Sequence, residues 1–358
     1  MPSLKEIKGR INSISSTLAI TSAMKMVASA KLQKAQMAIQ NMLPYERRLY
    51  SMLVDLMGAM NISAAASEDG SVRGSGSAER GFDQSGDRLS LSNRHDLAGM
   101  DGAYSLMAQR EVRKVAIVAF ASNSSLCGAF NSNVIREATA VINEYRASGL
   151  GDADITVYSV GRKMAEAMKK LGFPSPADFT KMSDSPSYDA ASALAQELFD
   201  GFVSGRFDKV ELVYNHYKST SSQPTTRQTY LPLSLADATA DIQAGKIADS
   251  ASESDTNRGA ELVGAPVVRQ GSPTTEDLIV EPSKEALIAT LLPKVVRLRI
   301  FTTLLDSAAA EHAARTVAMQ LATDNGNDLL QELTLEYNKG RQQKITSEIL
   351  DLVGGSLQ

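Results

Sequence analysis

The stretch LKEIKGRINSISSTL, residues 4–18, decides how the rest of the chain is read. Its apolar positions Leu4, Ile7, Ile11, Ile14 and Leu18 are spaced 3, 4, 3 and 4 apart. That spacing is a coiled-coil seam, narrower than the stripe of a globular surface helix. Ser3 followed by Glu6 reads as a capping box that opens the helix. The seam continues less purely through Thr21, Met24 or Lys25, Ala28 and Leu32. Pro44 interrupts the helix before Gly58, so a kink or local break is expected there.

A seam needs a partner, and the other end of the chain supplies one. From Ser283 onward the sequence reads as helix for about 70 residues, which at ~1.5 Å per residue reaches roughly 100 Å. Leu333, Tyr337, Arg341, Ile345, Ile349 and Leu352 form a 4, 4, 4, 4, 3 stripe near its end. The two terminal helices bury both seams by pairing as an antiparallel coiled coil.

Between them the pattern changes. VRKVAIVAF (112–120), ITVYSVG (155–161) and KVELVYNHY (209–217) read as buried strands, and RQTYLPL (227–233) as one more. FNSNVIREATAVINEYRASG (130–149), RKMAEAMKKLG (162–172) and DAASALAQELFDGFVSG (189–205) read as helices. Strands alternating with helices at this spacing imply βαβ units and a largely parallel, Rossmann-like sheet. Residues 67–102 hold seven Gly and seven Ser among 36 and read as a flexible insertion, and residues 236–275 as a second. The fold class is therefore α/β: a long antiparallel coiled coil plus a central α/β domain. Its division is 1–61, 62–110, 111–235, 236–276 and 277–358.

Composition narrows the function. The net charge of −4 gives no global reason to bind nucleic acid. Cys127 is the sole cysteine, so no intramolecular disulfide, dithiol switch or Cys-based zinc site can form. No run of 18 apolar residues is present. Residues 1–40 carry six Lys and Arg against the single acid Glu6, but only Arg10 is an arginine, which argues against a transit peptide. No G-x-x-x-x-G-K-[ST] loop occurs, and Gly128 lacks the further glycines of a phosphate fingerprint. His95, His216 and His312 stand far apart with no metal-ligand spacing. No cofactor, metal or acid–base catalysis is expected of this chain.

Three blocks then carry a family resemblance. ITSAMKMVASAKL (20–32), SLCGAFN (125–131) and EHAARTVAMQLATDNGNDLLQELTLEYNKGRQQKITSEILDLVGG (311–355) stand in the order found in the gamma subunit of F-type ATP synthases, which the chain resembles over residues 1–60, 110–235 and 277–358. The resemblance implies the central-stalk rotor of a proton-translocating complex, a non-catalytic subunit whose turning shaft drives the catalytic sites. Its partners would be the alpha and beta subunits of the head, the epsilon subunit and the c-ring. It would meet the membrane only through the complex, on the cytoplasmic side of the bacterial inner membrane.

The resemblance also implies site residues. Arg341, Gln342 and Thr346 would meet beta-subunit loops as the shaft turns. Ile345, Ile349, Leu350, Leu352 and Val353 are too apolar for a free helix end; they pack on the N-terminal helix, sit in an apolar bearing, or do both. Met24, Lys25 and Val27 would occupy the matching strip of the N-terminal helix. Leu278, Val280 and Glu281 would touch the c-ring, with the first two replacing family aromatics. SNSSLCG replaces the frequent S-D-R-G-L-C-G, and both insertions lengthen the chain. Two other readings are a free-standing α/β nucleotide-binding enzyme and a coiled-coil scaffold without ATPase partners.

Overall fold

A computed structural model describes residues 3–59, 106, 110–233 and 284–355. Helix α1 (Leu4–Ala59) and helix α6 (Lys284–Gly355) are the long terminal helices. Between them lie β1 (Val115–Phe120), α2 (Phe130–Ala147), β2 (Ile155–Val160), α3 (Arg162–Lys170), α4 (Thr180–Asp184), α5 (Tyr188–Val203), β3 (Lys209–Asn215) and β4 (Thr225–Leu231). The strand order is β2-β1-β3-β4. The first three strands are parallel and β4 runs antiparallel to β3, so the sheet is mixed at one edge.

All six residues of β1, VAIVAF, are buried, as a central parallel strand covered on both faces requires. One face packs Ile117, Val157 and Val213 under α2 and α3 through Val134, Val141, Met164 and Met168. The other packs Val118, Phe120 and Leu212 under α5 and the middle of α6, through Leu198, Phe202, Val296, Ile300 and Leu304. The shaft helix is thus itself one layer of the α/β domain. Leu106, within the segment 62–110, is fully buried in this core, and its carbonyl accepts from Leu233 N at 2.9 Å.

A buried ionic group holds the edge of the sheet. Glu211, 1% exposed, accepts from Tyr145 Oη at 2.7 Å, Arg227 Nε at 2.7 Å and Lys209 Nζ at 2.7 Å. Burial would raise its pKa, but these donors outweigh burial and hold it below the usual carboxylate value.

The shaft is a register-locked antiparallel pair. Thr323 Oγ1 donates to Thr21 Oγ1 at 3.1 Å, Gly326 faces Leu18 and Gly340 faces Leu4. Each step along α1 is matched by an equal step back along α6. A Cβ at 326 would lie 2.7 Å from Leu18 Cδ2, and one at 340 would lie 3.1 Å from Leu4 Cδ2. The two glycines therefore admit leucines at a close helix–helix approach, despite a helix-propensity cost of about 1 kcal/mol each. Toward the other end, Leu49, Leu53 and Leu56 bury against Ile288, Leu292 and Val295.

Three expectations change. Only half of the capping box forms: Ser3 Oγ accepts from Glu6 N at 3.2 Å, while the Glu6 carboxylate pairs with Arg10. No break occurs at Pro44, since α1 continues through it as one helix. Pro44 and Gln40 are both exposed, so water can take the carbonyl hydrogen bond that the proline leaves open. The stripe from Leu333 to Leu352 does not stay in the seam. The half-buried α6 positions run Thr323, Gly326, Leu330, Leu333, Tyr337 and Gly340, returning to a 3–4 alternation. Beyond Gly340 the partner helix has ended.

Candidate functional site

The sequence-predicted contact residues separate into distinct places. Past Gly340, α6 continues alone through residue 355, about 22 Å at ~1.5 Å per residue. Arg341, Gln342, Ile345, Thr346 and Ile349 are all exposed on this tip. Ile349 is 54% exposed and Leu352 74%. Packing of these residues on the N-terminal helix, one of the two options read from the sequence, is therefore ruled out: α1 begins at Leu4, opposite Gly340. Thr346 Oγ1 donates back to Gln342 O at 2.9 Å, and Lys344 pairs with Glu348 one turn on. Both contacts are local to the helix and leave its apolar side unpartnered among the described residues.

Met24, Lys25 and Val27 do not form a matching strip. The register places Lys25 opposite Met319, which lies 22 residues from Arg341, about 33 Å along α6. Lys25 takes the half-buried seam position, while Met24 and Val27 point outward, Val27 58% exposed. A 3–4 heptad continued from Leu18 and Thr21 reaches 25, not 24, which settles the choice the sequence left open. Leu278, Val280 and Glu281 lie outside the described residues.

A second constellation joins the α/β domain to the shaft. In an open parallel sheet, ligands bind at the carboxyl ends of strands where the crossover direction switches. Here that point lies between β1 and β3, whose crossover helices α2 and α5 cover opposite faces. The crevice is filled by the chain itself. Asp306 of α6 accepts from Tyr217 N at 2.9 Å and lies 2.7 Å from His216 Nδ1. Gln36 of α1 donates to Tyr217 Oη. Arg315 donates to Ser124 Oγ at 2.8 Å and pairs with Glu311 at 2.8 Å.

The loop after β1 is braced from within. Ser122 N donates to Asn131 Oδ1 at 3.0 Å, and Asn131 Nδ2 donates to Ser124 O at 3.2 Å. The amides at the start of α3, where an anion would dock, donate to Asn123 Oδ1 and Ser122 O. Leu126 takes a left-handed φ of 69° and is exposed. These groups make a socket for a helix, and the amides at the start of α3 are already bonded within it.

Electrostatics at the socket are shaped by burial. Desolvation pushes the Glu311 carboxyl up to about 7, with Asp184 adding to the rise and Arg315 and Lys31 opposing it. Desolvation pushes the His312 imidazole down to about 4, helped by Lys31 and Arg315. His312 Nδ1 and Arg315 Nε are buried without a hydrogen-bond partner. Among the described residues no group of three or more His, Cys, Asp or Glu is placed to hold a metal ion, and no helix is long and apolar enough to cross a membrane.

Sequence reading missed this socket. Asp306 is a lone acid in the run LRIFTTLLDSAAA, and an unpaired charge inside an apolar helical stretch was the available signal. Glu311 and Arg315, four residues apart, could have been read as a helix pair, but not as facing the β1 loop.

Comparison with known proteins agrees with this architecture. A sequence model of the family described as ATP synthase matches residues 3–357. The ATP synthase gamma chain of Phocaeicola vulgatus is 47% identical over 357 residues, covering 100% of both chains. That of Bacteroides thetaiotaomicron is 45% identical over 358 residues, again covering 100% of both. Among solved structures, a chain of the Euglena gracilis mitochondrial ATP synthase, OSCP/F1/c-ring, rotational state 3, shares the fold. Its TM-score is 0.51 at 18% identity, over 98% of this chain and 92% of that one.

Proposed function

The chain belongs to the ATP synthase gamma-chain family, and on that premise we propose that it is the central-stalk rotor of an F-type ATP synthase. It is a non-catalytic subunit, and the complex is the enzyme. Its two-helix shaft turns inside a head of alpha and beta subunits, and its α/β domain is the foot, which meets the epsilon subunit and the c-ring. The protein is a peripheral part of a membrane complex, held on the cytoplasmic face of the bacterial inner membrane.

One observation carries the reading: α6 outruns α1, leaving a single helix whose apolar side chains have no partner among the described residues. Burying a side chain the size of Ile or Leu is worth about 1.5–3 kcal/mol. Ile345, Ile349, Leu350 and Leu352 thus favour a surrounding apolar collar, the bearing that a head ring supplies. Arg341 and Gln342, exposed at the root of the tip, suit contacts with beta-subunit loops that form and break as the shaft turns. Met24 and Val27 present a second contact level about 33 Å lower. Leu278, Val280 and Glu281 are assigned to the c-ring contact. The chain divides functionally into shaft helices at 1–61 and 277–358 and a foot at 111–235.

The test is ATP hydrolysis by alpha and beta subunits assembled with this chain, with a probe on the foot. Stepwise rotation that becomes irregular as residues are removed back from 358 toward Thr346 supports the rotor with a tip bearing. A complex that hydrolyses ATP while the probe stays still refutes it.

A further inference from the structure

A foot that receives torque must pass it to the shaft. Apolar burial of Val296, Ile300 and Leu304 against the sheet holds the two together but is non-directional, so it resists separation better than twist. Hydrogen bonds weaken steeply when misaligned and so can fix an angle. We propose that Asp306 is the key of the joint: it locks the α/β domain at one azimuth on the shaft by holding His216 and Tyr217 across the switch-point crevice. The proposal rests on the rotor reading.

The geometry supports this in four ways. Asp306 uses both carboxylate oxygens on adjacent residues of one rigid segment, Oδ2 on the His216 ring and Oδ1 on the Tyr217 amide. A two-point grip opposes rotation where a single bond acts as a pivot. The carboxylate is shielded, with its side chain 17% exposed, so its charge-assisted bonds are weakly screened. The gripped segment follows β3 directly, and β3 is paired to β1 and β4, so force reaching the sheet arrives there without crossing a loop. Tyr217 also holds the other shaft helix through Gln36, which ties both strands of the shaft to the same point. Arg315 on Ser124 is an outrigger nine residues further along α6, engaging the β1 loop. Asp306 is thus a positioning residue for torque transfer and touches no reacting atom.

The experiment uses the full chain assembled with alpha and beta subunits. A probe is attached to the foot through a cysteine introduced at exposed Lys170, with the head fixed. The readout is the angular spread of the probe during each pause. Asp306→Ala is expected to widen the spread, and Asp306→Asn, which keeps an acceptor for the Tyr217 amide, to widen it less. A merely stabilising role would lower the melting temperature and leave the spread of assembled complexes unchanged. If Asp306→Ala does not assemble, the Asp306→Asn spread decides. A wild-type probe that steps, with variants at wild-type spread, overturns this proposal alone. A wild-type probe that never rotates overturns the rotor reading and this proposal with it.

Discussion

Replacing Glu311 by Gln should reveal a pH dependence that its neighbour His312 conceals. The Glu311 carboxyl titrates at about 7 when folded, above its ordinary 4.5. The folded state therefore keeps a proton that the unfolded chain has released, so this group favours folding below 4.5 and loses that contribution as pH rises through 7. Each unit of pKa difference corresponds to ~1.4 kcal/mol, so the swing across the window is about 3 kcal/mol. His312 works in reverse. Its folded value of about 4 lies below the ordinary 6.5, so it favours folding above 6.5 and loses that contribution as pH falls through 4. The size is again about 3 kcal/mol. Between pH values of about 4.5 and 6.5 the two slopes oppose each other, and the wild-type socket is nearly indifferent to pH.

Each substitution removes one slope. Relative to wild type, Glu311→Gln should gain stability from pH 5 to pH 7 by about 2 kcal/mol, because Gln mimics the protonated acid at every pH. His312→Gln should gain in the other direction, by about 2 kcal/mol between pH 6.5 and pH 5. Urea unfolding of the full chain, followed by circular dichroism at several pH values, measures both. Because each variant is compared with wild type at the same pH, His216 and Glu211 cancel. A Glu311→Gln difference that stays flat from pH 5 to 7 would refute the reasoning, since it would mean that Arg315 and Lys31 fully compensate the buried carboxylate.

Gly326→Val should lower stability by about 1–3 kcal/mol through overpacking against Leu18, with Leu18→Ala relieving the clash; thermal melts of the two single variants and the double variant measure this coupling. Glu211→Ala should cost about 3–5 kcal/mol, because Arg227 and Lys209 lose a buried counter-charge. The wild-type contribution of Glu211 should be present above about pH 4.5 and fade as pH falls through its depressed folded value, as acid titration of the two proteins would show. Amides of residues 21–32, where Thr21 and Lys25 weaken the seam, should gain protection from hydrogen exchange when the head assembles, and unchanged protection would count against a bearing around the shaft.

The elements were legible because their periods are strong. The 3–4 spacing of Leu4 to Leu18 and the apolar run VAIVAF admit one reading each, and both terminal helices and all four strands follow from such signals. Pairing register was not legible. Ile345, Ile349 and Leu352 carry the same apolar signal as Leu330 and Leu333, and only the position of Leu4 opposite Gly340 shows where the partner ends. Gly326 and Gly340 read as weak points of a helix until the opposing leucines are seen. The Asp306 socket was hidden for a related reason: its members come from residues 36, 124, 216, 217, 306 and 315, and no local spacing joins them.

The socket also accounts for how a Rossmann-like domain uses its switch-point crevice, which among the described residues is occupied by the chain's own helix. A doubly wound sheet forms its crevice wherever crossover direction switches, whatever the sequence; here the helix leaving β1, α2, and the helix entering β3, α5, lie on opposite faces. In this chain the crevice receives α6, the amides at the start of α3 bond the β1 loop, and Asp306 supplies the anion at its mouth. A feature that other sheets use to hold a ligand loosely enough to release it here holds a helix that must not slip. The same geometry explains why Asp306 stands in an otherwise apolar stretch of α6. Leu304 and Leu305, the two residues before it, are buried, and the carboxylate accepts from the Tyr217 amide and meets the His216 ring nitrogen where the segment after β3 crosses the helix. Removing it therefore costs more than two hydrogen bonds, because it turns a keyed joint into a greased one.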